Sequence, residues 1–158
     1  MKKVLFVTSE AVPFIKTGGL ADVAGSLPQY FDKTKYDVRI ILPKYVCMEE
    51  DRKVQLRFHS RFYVRLSWRS QYVGVLEAKV EGITYYFIDN EYYFAGAKPY
   101  NNIYEDVEKF AYFSKAVLEA LPVIGFQPDI LHCHDWQTGL IPVYLQNEYK
   151  KEEFYKGI

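Results

Sequence analysis

Residues 3–43 carry the pattern that most restricts what this chain can become. Val4-Leu5-Phe6-Val7 is a continuous apolar run, too short for a helix, so Lys3 to Thr8 reads as a buried strand. From Gly19 to about Phe31, the residues Leu20, Val23, Ala24, Leu27 and Phe31 recur at helical spacing, with Pro28 expected to bend the helix or cost it a hydrogen bond. Tyr36 to Pro43 (YDVRIILP) is a second buried strand. Two buried strands joined through one helix form a βαβ unit, which demands parallel pairing with the helix laid across the sheet.

The rest of the chain extends this plan. Three strand-like stretches follow, VQLRFHSRFYVRLSW, SQYVGVLEAKV and ITYYFID, and Glu81-Gly82 is placed for a tight turn between the last two. They are expected to form a meander or hairpin inserted in, or extending, the main sheet. The stretch NEYYFAGAKPYNNIYED reads as a loop. Glu105 to Leu121 is the clearest helix, with Val107, Phe110, Ala111, Ser114, Val117, Leu118 and Leu121 as its buried stripe. PDILHCHDW then reads as a strand with a polar end, and WQTGLIPVYLQNEY opens another helix with Asp135 as its cap. The fold class is therefore α/β: a Rossmann-like layered sheet, mostly parallel, with a β-hairpin or meander insertion.

Composition narrows the function. Lys plus Arg and Asp plus Glu both number 20, so no basic excess marks a nucleic-acid partner. No apolar run approaches the roughly 18 residues of a membrane helix, and the short run after Lys2-Lys3 is a strand rather than a leader, so no membrane partner is expected. Cys47 and Cys133 lie far apart without framework spacing, which points to a reducing cytoplasm. Aromatic residues make up 18% of the chain. Flat rings offer apolar faces to sugar C–H groups, but they serve a core equally well.

In open α/β sheets ligands bind beyond the C-terminal strand ends. Two polar clusters fall there: Glu10 to Gly19 after the first strand, and His132 to Thr138 after the last. In the first, Lys16-Thr17-Gly18-Gly19 precedes a helix start. Unpaired N–H groups, glycines that let an anion approach the backbone, and a nearby cation together make a phosphate site. The same residues fit a tight strand-to-helix turn with a solvated lysine. The stretch matches neither the P-loop nor the GxGxxG fingerprint. In the second cluster, His132 and His134 share one face of a strand. Three readings are open: hydrogen-bonded structural histidines, polar contacts to a substrate, or two of the ligands of a metal whose third is not evident. His59 stands alone in a strand and reads as structural.

Four stretches together resemble one family. VLFVTSEAVPFIKTGGLADVAGSLP, YDVRIILPKY, YEDVEKFAYFSKAVLEAL and PDILHCHDWQTGLIPVYL are similar, in order and spacing, to the N-terminal part of bacterial glycogen synthases and plant starch synthases. Lys109 stands where that family often has arginine, and Gln137 where bacterial members often have histidine. The resemblance implies a retaining glucosyltransferase of GT-B architecture. It would transfer α-glucosyl units from ADP-glucose, or UDP-glucose, to the 4-hydroxyl of an α-1,4-glucan, with no cofactor and no metal.

Residue by residue, the resemblance implies that Lys16 contacts the donor's phosphates or sugar and that Gly18 and Gly19 offer N–H groups to the leaving diphosphate. Glu10 and Asp22 would order that loop or touch the ligand. His134 and Asp135 would be the catalytic-cleft residues beside the transferred glucose or the acceptor. Tyr92, Tyr93 and Tyr100 would lie in the loop facing the glucan. Residues 1–158 would form a partial N-terminal, acceptor-side catalytic domain, with the C-terminal nucleotide-binding domain absent. The chain alone would then be inactive and open to self-association. The alternatives are a non-catalytic glucan-binding or regulatory module, a GT-B transferase for another sugar nucleotide, and, more distantly, a metal-dependent hydrolase.

Overall fold

The structure, a computed structural model, describes residues Met1 to Ile158. A single six-stranded sheet organises it, in the order β3-β4-β5-β2-β1-β6. β1 (Lys2–Val7) lies between β2 (Tyr36–Pro43) and β6 (Ile130–Cys133), parallel to both, and β5 (Ile83–Asp89) lies parallel to β2. β3 (Arg57–Leu66) and β4 (Arg69–Val80) pair antiparallel outside β5, so the meander extends the main sheet rather than interrupting it. Glu81 and Gly82 both have positive φ, 50° and 83°, the geometry a two-residue hairpin turn between β4 and β5 needs.

β1 is apolar throughout its second half because a central strand is covered on both faces. Register places Phe6 beside Ile40 and His132, and Ile40 beside Tyr85, so these four share one face. On that face Phe14 packs against Tyr85 and Phe87, with ring centroids 5.0 and 4.8 Å apart.

Five α-helices accompany the sheet: α1 (Gly19–Ser26), α2 (Glu50–Lys53), α3 (Glu91–Phe94), α4 (Ile103–Val123) and α5 (Leu140–Tyr144). α4 is the main layer. Asn102 caps it, its side chain accepting from the N–H groups of Tyr104 and Glu105 at 3.1 and 3.2 Å. At the far end Gly125, at φ 64°, turns the chain so that Phe126 N donates to Leu121 O at 3.1 Å, closing a Schellman motif.

Several expectations need correction. The first helix ends at Ser26 and continues as a 3-10 turn over Leu27–Tyr30, because Pro28 cannot donate to an α-helical ladder. Its buried side is Ala21, Ala24 and Gly25, while Val23 and Leu27 are exposed. Gly25 sets this: a Cβ there would lie 2.3 Å from the Val12 carbonyl oxygen, so the loop before α1 packs against its small-residue side. Val107 is likewise exposed, because α4 turns Asp106 and Lys109 inward instead. The stretch after Asn90 is not all loop, since α3 forms within it under an Asn90 cap. The last helix is broken into a 3-10 turn (Trp136–Thr138), α5 and a π turn (Leu145–Tyr149).

A candidate cleft at the C-terminal ends of the parallel strands

Because β5, β2, β1 and β6 are parallel, the segments leaving β1, β5 and β6 emerge on one rim of the sheet. They carry Glu10–Gly19, Asn90–Asn102 and His134–Thr138. A chain of contacts ties them together. Tyr100 Oη and Ser9 Oγ are 2.7 Å apart, Tyr100 packs on Phe110 at 6.0 Å, and Phe110 meets Trp136 edge-on at 5.5 Å. Burial pushes the Tyr100 phenol up to about 12, and the nearby charges of Glu10 and Asp135 act in the same direction. The two polar clusters therefore converge on Tyr100.

Glu10 is 3% exposed. Its carboxylate accepts from the Thr17 backbone N–H and from Thr17 Oγ1, the latter at 2.7 Å. A buried carboxylate held by two donors fixes the course of the loop carrying Lys16. Lys16 Nζ pairs with Asp22 at 2.7 Å, with both side chains about half exposed. Its charge is locally balanced, and an incoming anion must share it with Asp22.

Gly18 is the N-cap of α1, and no side chain caps that helix. Neither Gly18 nor Gly19 has positive φ. A Cβ at Gly19 would meet nothing within 4 Å, and one at Gly18 only Glu10 Oε1 at 3.9 Å. The fold needs glycine at neither position, so the tight-turn reading of this pair loses its footing. What remains is an open, uncapped helix start with room for a ligand against the backbone.

At the end of β6, His134 N donates to Val7 O at 3.0 Å, tying this loop to the end of β1. Thr138 Oγ1 donates back to His134 O at 2.9 Å. The His132 and His134 rings lie 4.3 Å apart and both pack on Phe6. His134 Nε2 is buried without a partner, and burial, with the neighbouring His132, pulls its pKa down to about 4. The ring is neutral near pH 7. Nowhere in the chain do three or more His, Cys, Asp or Glu side chains gather as metal ligands.

Asp135 is an outlier, with φ 62° and ψ −177°, a region populated almost entirely by glycine and costing an L-residue about 1–3 kcal/mol. Its Oδ1 accepts from Trp136 N at 2.8 Å. The carboxylate is exposed at the rim.

The three tyrosines divide. Tyr100 sits at the junction of the clusters. Tyr92, eight residues earlier on α3, is exposed. Tyr93 is buried, stacked on Tyr112 at 4.4 Å, and donates to Glu108 Oε1 at 2.9 Å. Sequence reasoning missed the clamp that holds Tyr100. Lys109 and Asp106, 4% and 6% exposed in their side chains, pair at 2.8 Å. Lys109 Nζ also donates to Pro99 O at 2.8 Å, and Asp106 accepts from Asn101 N. The i, i+3 spacing of opposite charges was the available signal, but on an exposed helix it means little. His59 is exposed, 3.0 Å from Ser60 Oγ and remote from this rim in sequence and strand order.

Comparison with known proteins gives this geometry a family. Residues 3–158 match the family described as starch synthase catalytic domain. The glycogen synthase of Lachnospira eligens is 64% identical over all 158 residues, which are 33% of its own length. That of Anoxybacillus flavithermus is 53% identical over 153 residues, covering 97% of this chain and 31% of the relative. The solved catalytic domain of starch synthase IV from Arabidopsis thaliana, bound to ADP and acarbose, superposes with a TM-score of 0.82 at 31% identity, over 95% of this chain and 31% of that one. The chain thus spans about a third of the length of the curated relatives it matches. With its open sheet, its rim of loops and a match along nearly its whole length, this chain belongs to the starch synthase catalytic domain family, as an N-terminal part of that GT-B fold.

Proposed function

We propose that these residues form the acceptor-side lobe of a glycogen or starch synthase that transfers α-glucosyl units from ADP-glucose to the 4-hydroxyl of an α-1,4-glucan with retention. The observation that carries this reading is the pair of glycines, Gly18 and Gly19, at an uncapped helix start where the fold itself does not require them. As the bond from the anomeric carbon to the diphosphate breaks, charge builds on the departing oxygen. The N–H groups of this helix start and the Lys16 ammonium are preorganised to receive it. Glu10 holds the loop in place through Thr17, and Asp22 holds Lys16 until the anion arrives. His134, neutral, and Asp135, on its strained backbone, line the rim where the glucose and the acceptor hydroxyl meet. Tyr100 and Tyr92 flank the acceptor, while Tyr93 acts through packing.

The Arabidopsis relative bound to ADP and acarbose supports a sugar-nucleotide donor and a glucan-like acceptor for this fold. The identity of the base, adenine here by that likeness, is read outside these residues, in a nucleotide-binding lobe. Without that lobe the 158 residues do not turn over. Two free cysteines accord with a cytoplasmic setting, and no helix is long and apolar enough to cross a membrane.

The test is Gly19→Ala in an enzyme that joins these residues to a nucleotide-binding lobe. A methyl group there meets nothing in the fold, so the melting temperature should hold, while transfer of labelled glucose from ADP-glucose to glycogen falls at least tenfold in kcat/KM. Unchanged transfer would remove the phosphate cradle from the mechanism.

A further inference from the structure

We infer that Tyr45 and Ser9 are positioning residues for the phosphate cradle: they set the end of β1 and, through Glu10 and Thr17, the place of the helix start at Gly18 and Gly19. The inference rests on the cradle reading above and names what holds the cradle still. Neither side chain can reach a ligand, since Ser9 is 0% exposed and Tyr45 1%.

Three segments of the rim meet at Ser9. Its carbonyl accepts from Tyr45 Oη at 2.8 Å, on the loop leaving β2. Its hydroxyl is 2.7 Å from Tyr100 Oη, on the segment between β5 and α4. Its own backbone continues from β1. One residue earlier, Thr8 N donates to Ile41 O at 3.1 Å and Thr8 Oγ1 donates to Glu10 O at 2.8 Å. The turn from β1 into its loop is thereby tied to the segments on both sides of it.

Both tyrosines are themselves fixed. The Tyr45 ring meets Phe94 edge-on at 5.6 Å, and its neighbours Lys44 and Val46 donate backbone bonds to Ile88 O and Phe94 O at 2.8 and 2.9 Å. Burial holds the Tyr45 phenol well above its usual range, with Tyr100 and Glu10 close enough to add to the effect, so the proton in the bond to Ser9 stays in place. Tyr100 is gripped on either side, Pro99 O by Lys109 and Asn101 N by Asp106. A phenylalanine at position 45 would fill the same space. The hydroxyl adds the bond to Ser9.

From Ser9 the path to the cradle is short. Glu10 comes next, and its carboxylate is held by the Thr17 N–H and Oγ1. Thr17 directly precedes Gly18. A shift at Ser9 therefore carries to the N–H groups of the helix start. Donors that stabilise charge as it develops act only when they already stand in place, and a misplacement of about 1 Å costs about a hundredfold in rate.

Tyr45→Phe and Ser9→Ala each delete a single oxygen inside the fold, so both variants should keep the wild-type circular dichroism spectrum. In an enzyme that joins these residues to a nucleotide-binding lobe, each should lower kcat for glucose transfer from ADP-glucose at least fivefold, with KM for glycogen in Tyr45→Phe within about twofold of wild type. The fall should shrink below twofold when either change is made in a Gly19→Ala background, because a cradle already blocked has little left to lose. Unchanged kcat in either variant overturns the assignment. So does a fall of equal size in both backgrounds, which marks general loosening of the fold, and so does a loss carried by the glycogen KM, which marks the acceptor side. Normal transfer by Gly19→Ala alone would remove the cradle and this assignment together. Slow transfer by Gly19→Ala with normal turnover in Tyr45→Phe and Ser9→Ala would remove the assignment and leave the cradle standing.

Discussion

Lys109→Met puts the buried clamp of α4 to a quantitative test. The ammonium makes two hydrogen bonds of 2.8 Å, to Asp106 and to the Pro99 carbonyl. Methionine has nearly the same volume, so the change removes charge without opening a cavity. It strands the Asp106 carboxylate, 6% exposed, with the Asn101 N–H as its remaining donor. Breaking a buried ion pair by deleting one partner costs about 3–5 kcal/mol. The surviving Asn101 bond argues for the lower half of that range, about 3–4 kcal/mol. For a chain of this size that corresponds to a fall in Tm of about 10 °C. Urea unfolding followed by circular dichroism measures the loss directly. The decisive control is Asp106→Asn combined with Lys109→Met, which removes both charges and should recover all but about 1 kcal/mol. Amide exchange at Asn101 should quicken in the single variant, because Tyr100 and its loop lose their tether. A single-variant cost below about 1 kcal/mol, or a double variant no better than the single, would refute the reasoning.

Gly25→Ala should destabilise the chain by at least about 2 kcal/mol, since its methyl would sit 2.3 Å from the Val12 carbonyl and the backbone there has to move; denaturant midpoints of the variant and wild type check this. The pH dependence of stability should carry the mark of His134. Its folded pKa is lowered to about 4 from 6.5, by burial first and His132 second, so the unfolded chain takes up the proton first. The contribution of the neutral ring is complete above about pH 6.5, shrinks as pH falls and is gone near pH 4. A His134→Gln variant should therefore lose less stability than wild type on acidification through that window, and parallel pH profiles would count against it.

The strand frame was legible because central strands announce themselves as unbroken apolar runs. The runs at Val4–Val7 and Tyr36–Pro43 leave little choice of structure, and the Glu81-Gly82 turn has its own chemistry. The error at Val23 and Leu27 has a different origin. Helical periodicity finds a stripe, but which side is buried depends on what approaches. Here the Val12 carbonyl selects the small side containing Gly25. The Asp106–Lys109 clamp was hidden for a related reason: two opposite charges one turn apart look alike whether solvated or buried. Of the cleft, the loop at Lys16–Gly19 and the loop at His134–Asp135 could be located from strand ends alone. That both meet at Tyr100 depended on a loop whose path no local pattern specifies.

One margin of the sheet is defended by its own sequence. β3 closes one side with Arg57, Arg61 and Arg65 exposed and with its register shifted between Phe58 and Ser60, devices that repel a further strand. β6, with four residues, lies at the other margin beside β1. Pairing of one molecule with another by ladder extension is therefore discouraged at β3. A second molecule cannot lengthen the sheet from the β3 side without bringing its own strand against three guanidinium groups and a shifted register.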